Sequence, residues 1–171
     1  SNENIESNSK YDYDKIFRAI AESNNILPLF ILFTNGMSIN ARNDSGKTIL
    51  HYAVLSGNHF LTKLLLSCDA IDPFLHDIDS ETPFLYSIKY KRERIINEFF
   101  IKTNSINSWD EKDYFKIIQY SQINKLDYVI NYFQSNWPFD VCNNVLDSVK
   151  YLSNSFFNKY PNIMDELFRT K

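Results

Sequence analysis

The chain is 171 residues long with a formal charge of −3 and a pI near 5.6, so no overall positive field draws a polyphosphate backbone to it, which disfavours nucleic acid as a partner. Hydrophobic residues make up 44% and charged residues 23%, a composition that folds, and an aromatic share of 16% requires Phe and Tyr to fill much of the interior. No run reaches the roughly 18 consecutive apolar residues of a membrane helix, the polar start SNENIESNSK is no signal peptide, and Cys68 and Cys142 form no disulfide pattern, so an intracellular protein without a membrane partner is expected.

Residues 1–10 are rich in Asn, Ser and Glu and carry no apolar stripe; they are expected to be a disordered tail or an expression remnant. Residues 11–33 then read as two helices, IFRAIAESNN followed by ILPLFILF. Pro28 fits the start of the second, where its missing N–H costs no intrahelical bond. Gly36 ends that helix, and Ile39, Asn40 and Ala41 lead into a hairpin-like link.

Residues 43–66, NDSGKTILHYAVLSGNHFLTKLLL, spell a turn, a short helix, a tight bend and a second helix. Gly46 suits a turn that needs a positive φ, and Thr48 can cap the helix that Ile49, Leu50 and Ala53 begin. Gly57 and Asn58 stop it. Phe60, Leu61, Leu64 and Leu65 then form the apolar stripe of a second helix, and neither helix can bury its stripe alone.

Steps of 34 residues from this unit land on like residues in both directions. Leu50 yields the column Ile16, Leu50, Phe84, Ile118, Leu152; Ala53 yields Ala19, Ala53, Ser87, Ser121, Ser155. Leu61 yields Leu27, Leu61, Ile95, Val129, Ile163, and Leu65 yields Ile31, Leu65, Phe99, Phe133, Leu167. In the third unit Thr82-Pro83 opens the first helix, but Leu85 replaces His51 and Lys91 replaces Gly57, so its two bends are expected to be less regular. Residues 113–133 and 145–168 keep only the apolar pattern, with Trp137-Pro138 between them.

The pair GKTILHYA and SGNHFLTKLLL resembles the G-x-T-P-L-H-x-A and second-helix core of an ankyrin repeat, and GMSINARNDSGKT resembles the family's finger loop. First helices with room for about two turns separate this pattern from tetratricopeptide arrays of similar period. The resemblance implies an all-α ankyrin-repeat solenoid of stacked helix-turn-helix units with hairpin-like fingers. One domain, residues 11–171, would then hold repeats at about 11–43, 44–76, 77–110, 111–143 and 144–171. The fifth is either a capping repeat with a polar outer face or simply two packed helices.

Catalytic chemistry finds little support. With 3 glycines there is no phosphate-binding loop, and there is no nucleophile elbow. His51, His59, His76 and Cys68 match no zinc spacing, and the carboxylate pairs Asp77/Asp79 and Asp110/Glu111 read as solvated turn residues. No enzyme activity, metal or cofactor is therefore expected. The resemblance makes His51 a structural tie between successive loops rather than a ligand.

The same resemblance implies a protein-interaction module, monomeric by itself, that holds a peptide or helix on its concave face of fingers and first helices. Carried over by position, that face takes Arg42, Asp44, Lys47, Tyr52 and Leu55 from the second repeat, with Ser45 and Ser56 beside them. The third repeat supplies Asp79, Glu81, Tyr86, Lys89 and Tyr90, along with Ile78, and the fourth supplies Trp109 and Glu111. The alternative is a targeting or scaffold domain of a larger protein, a transcription or chromatin regulator or a host-directed effector. In that reading Trp109, flanked by Asp110 and Glu111, either contributes to a cage for a lysine-containing tail or packs as local core. The basic run KYKRER, residues 89–94, is either a solvated bend or a patch for an acidic partner.

Overall fold

The computed structural model describes residues 12–103 and 109–136, and the chain divides into two compact units, Ser1–Ser105 and Ile106–Lys171. The first unit holds α1 (Tyr13–Ser23), α2 (Leu27–Thr34), α3 (Ile49–Leu55), α4 (His59–Leu66), α5 (Pro83–Lys89) and α6 (Glu93–Lys102). The second holds α7 (Glu111–Ile123) and α8 (Asp127–Asn136). Among the described residues there is no strand, and no helix is long and apolar enough to cross a membrane.

In the first unit successive pairs stack, α1 against α3, α3 against α5 and α4 against α6, while α7 packs against α8 in the second. Both α3 and α5 are seven residues long, the two turns that the spacing allows. Each begins on an extended threonine, Thr48 (φ −98°, ψ 171°) or Thr82 (φ −93°, ψ 163°). Thr82 Oγ1 accepts the Leu85 N–H at 3.2 Å, and Pro83 sits where no intrahelical donor is needed. The interior is aromatic, as the composition requires: Phe17, Phe84 and Phe99 are completely buried in the first unit, Tyr114 and Phe133 in the second. Phe84 and Phe99 meet edge to face with ring centroids 5.4 Å apart.

The 34-residue register holds for the second, third and fourth repeats. Leu50, Phe84 and Ile118 are fully buried, as are Ala53, Ser87 and Ser121. Leu61, Ile95 and Val129, and likewise Leu65, Phe99 and Phe133, are at most 2% exposed. It fails in the first repeat. Ala19 is exposed and Ile16 only partly covered, whereas their neighbours Ile20 and Phe17 are buried; Leu27 and Ile31 are 66% and 60% exposed, and Leu29 takes the core position. Asn24, in the left-handed conformation at φ 56°, matches Gly57 at a spacing of 33 rather than 34. One extra residue, Asn25, then precedes α2 and accepts the Leu27 N–H on its side chain at 3.1 Å, so the second helix is displaced by one position more. The members Leu152, Ser155, Ile163 and Leu167, and the fifth repeat as a whole, lie outside the described residues.

The bend between the helices of the third repeat is regular, contrary to the expectation from its missing glycine, and that of the fourth repeat follows the same course. Lys91 (φ 51°) and Lys125 (φ 56°) adopt the left-handed conformation of Gly57 (φ 71°). Arg92 N–H donates to Ser87 O at 2.8 Å and Leu126 N–H to Ser121 O at 2.8 Å, as Asn58 N–H does to Ala53 O at 2.9 Å.

Candidate partner-binding face

Two fingers of the same design flank the first helices. In the first, Asn43 N–H donates to Lys47 O at 2.9 Å, and the Asn43 Oδ1 accepts the N–H groups of Ser45 at 3.1 Å and Lys47 at 2.8 Å. In the second, Asp77 N–H donates to Glu81 O at 2.9 Å, and the Asp77 Oδ1 accepts the N–H groups of Asp79 at 2.9 Å and Glu81 at 3.0 Å. Ile78 N–H donates to Ser45 O at 3.0 Å and joins the fingers edge to edge. Close approach explains Gly46, at φ 74°: a Cβ there would lie 3.1 Å from the Asp77 backbone Cα.

His51 locks this frame. A backbone N–H can only donate, so the bond from Thr48 N–H at 3.0 Å makes Nδ1 the acceptor and leaves the proton on Nε2, which donates to Glu81 O at 3.2 Å. One neutral ring thus ties the start of α3 to the next finger. Burial pushes its pKa down to about 4, because a charged imidazolium here would lose its water. Among the described residues no three His, Cys, Asp or Glu side chains converge to hold a metal.

Several residues assigned to the binding face hold it up from within. Tyr86 is 6% exposed and donates its hydroxyl to Asp77 Oδ2 at 2.7 Å; Lys47 Nζ meets the same oxygen at 2.7 Å. Burial and the Asp77 charge both push the Tyr86 pKa up. Burial alone would raise Asp77, but Lys47, the Glu81 N–H and the Tyr86 hydroxyl outweigh it and hold the carboxyl at about 2. Tyr52, 5% exposed, donates to Asp14 Oδ1 and accepts from Asn43 Nδ2 at 3.0 Å; burial and Asp14 raise it to about 12. Glu81 is 5% exposed, with Lys89 Nζ 3.7 Å from its Oε1. Tyr52, Tyr86 and Glu81 are thus mostly covered, and both tyrosine hydroxyls are bonded to carboxylates within the chain.

Trp109 is likewise a packing residue. It is 6% exposed and lies edge-on to Phe133 in the second unit, centroids 5.2 Å apart, which removes the open ring face that a lysine cage needs. Asp110 caps α7 by accepting the Lys112 N–H at 3.0 Å, and Glu111 is the first residue of that helix.

What stays accessible in the first unit is Asp44, Ile78 and Asp79 on the fingers, with Lys89 and Tyr90 at the end of α5. Arg42 is exposed, but its guanidinium donates to the carbonyls of Gly46 and His76. Tyr90 stacks on Tyr86 at 6.0 Å and is half exposed. Between the first two repeats a concavity of about 370 Å³ is floored by Tyr52, Leu55 and Ser56 and walled by Ser45 and Lys47 on one side, with Asp14, Arg18 and Glu22 of α1 on the other. Those three α1 residues are absent from the sequence-assigned face because the assignment began at the second repeat; steps of 34 back from Tyr52 and Ser56 reach Arg18 and Glu22, and the 33-residue spacing of Asn24 and Gly57 carries Lys47 to Asp14.

The chain matches the family model for ankyrin repeats (3 copies) over residues 16–110. It belongs to the ankyrin-repeat family. Comparison with curated proteins yields no match. Ankyrin repeats are in general protein–protein interaction modules and typically not enzymes. The finger frame and the His51 tie are thus parts of an ankyrin scaffold, and the groove beside α1 lies next to them.

Proposed function

We propose that this ankyrin-repeat protein is a non-enzymatic binding module that holds a peptide or a helix of a protein partner on the concave face of residues 12–103. The observation that carries this reading is the groove floored by Leu55 and Ser56, whose fingers are fixed by buried hydrogen bonds before any partner arrives. A pre-ordered surface loses little conformational entropy on binding. Exposed Asp44, Ile78, Asp79 and Tyr90 continue it across the second and third repeats.

Affinity capture from the source cell's lysate tests this reading, comparing the native chain with a variant carrying Ser56→Arg and Tyr90→Ala, both at exposed positions. A partner lost by the variant, with its circular dichroism unchanged, supports the concave face. A partner kept equally by both moves the site to the outer helices or to the second unit.

A further inference from the structure

We propose that the groove selects a partner segment bearing lysine or arginine next to an apolar side chain, an inference that rests on the concave face being the binding surface. The pairing of charges carries it. Along this face Arg18 lies 3.5 Å from Asp14, Lys47 2.7 Å from the buried Asp77, and Lys89 3.7 Å from Glu81. Arg42 is spent on two backbone carbonyls. Arg18, Lys47 and Lys89 are thus each paired with a carboxylate of the chain itself, and the Arg42 donors are occupied.

The carboxylates are not. Glu22, in the wall of the groove, and Asp44, at the tip of the first finger, are exposed and have no cation of the described residues within ion-pair distance. The face therefore keeps a surplus of negative charge at its rim, and a cation is the group that would relieve it.

Beside those carboxylates lies apolar surface with no covering group. Leu55 is partly exposed in the floor, Ile78 is 71% exposed one hydrogen bond from Ser45, and Tyr90 is 50% exposed. A side chain with an aliphatic stem and a charged head, followed by an apolar residue, satisfies both kinds of surface together. The opposite side of the unit has the reverse bias: Lys63, Lys91, Arg92, Arg94 and Lys102 outnumber Glu93 and Glu98 on α4, α6 and the bend before α6. A basic segment is thus repelled from the outer helices and drawn to the fingers.

The test is selection of short random peptides displayed on phage against the full chain, followed by fluorescence anisotropy with the recovered peptides. Enrichment of Lys or Arg beside an apolar residue is expected, with binding lost on Ser56→Arg and weakened about tenfold by Glu22→Lys combined with Asp44→Lys. Raising salt from about 50 to about 300 mM should weaken it several-fold as well. Neutral or acidic peptides that Ser56→Arg still abolishes would overturn the charge assignment and leave the concave face standing. Peptides indifferent to Ser56→Arg, or none enriched, would sink both. Circular dichroism and the melting midpoint of each variant guard against misfolding as the cause.

Discussion

In the second repeat the bend between the helices is Gly57 followed by Asn58; in the third it is Lys91 followed by Arg92. Both bends place the first residue in the left-handed region and both return the second residue's N–H to the preceding helix. Both also reach back across the stack, Asn58 Nδ2 to Ala21 O at 2.9 Å and Arg92 to Leu55 O at 3.1 Å. The difference lies in the space around them. A Cβ on Gly57 would stand 3.0 Å from the Arg92 guanidinium, whereas Lys91 carries its side chain outward to Glu93. The stack fixes the backbone path, and at Gly57 the Arg92 guanidinium of the next repeat would have to shift to admit a Cβ.

The comparison can be broken at its core first. Leu65→Ala should lower stability by about 2–5 kcal/mol, since Leu65 is 1% exposed, while Ile31→Ala at the matching 34-step position of the first repeat should change it by less than about 0.5 kcal/mol. Equal urea midpoints for the two variants would contradict the shifted register.

Acid should act through the second repeat's histidine, for which the third has Leu85. The pKa of His51 is lower in the fold (about 4) than its ordinary 6.5, so the unfolded chain binds the extra proton. The stabilisation is complete above pH 6.5 and declines as pH falls toward 4, by about 3 kcal/mol at most. Asp77, held at about 2 against an ordinary 3.8, adds a further loss below pH 3.8. Urea titrations from neutral pH to pH 4 measure the first step, and His51→Leu should flatten it.

At the bends themselves Gly57→Val should cost about 1–3 kcal/mol, through φ 71° and through the contact with Arg92. The smallest effect is expected at Lys91→Gly, a gain of up to about 1 kcal/mol as the left-handed strain is relieved. A thermal midpoint lowered by Lys91→Gly would mean that the lysine side chain contributes more than its backbone costs.

The second repeat was readable because each of its signals agrees with the others: Thr48 caps, Gly57 bends, and Leu61 and Leu65 are buried. The first was misread by one residue and then by two, because Asn24 takes over glycine's conformation and Asn25 is inserted after it. Periodicity cannot register an insertion inside a bend when apolar residues fill every phase of the next helix, as in LPLFILF.

The face assigned from the sequence divides in the same way. Sequence position was enough to place Asp44, Asp79, Lys89 and Tyr90 on accessible ground, yet it also assigned Tyr52, Glu81, Tyr86 and Trp109, which are buried. Position within a repeat fixes which way a side chain points; whether it still meets solvent depends on what neighbouring elements lay over it.

By itself the sequence determined the repeat, its two-turn first helices, the caps at Thr48 and Thr82 and the aromatic core, because each follows from local preference or a fixed spacing. Only the tertiary structure decided the register of the first repeat, the left-handed lysines and the pairing of Lys47, Arg18 and Lys89 that leaves Glu22 and Asp44 uncompensated. The Lys47–Asp77 pair joins residues about 30 positions apart across the stack, and contact at that range is set by packing rather than by local pattern, whereas Arg18 pairs within its own helix and Lys89 within its own repeat.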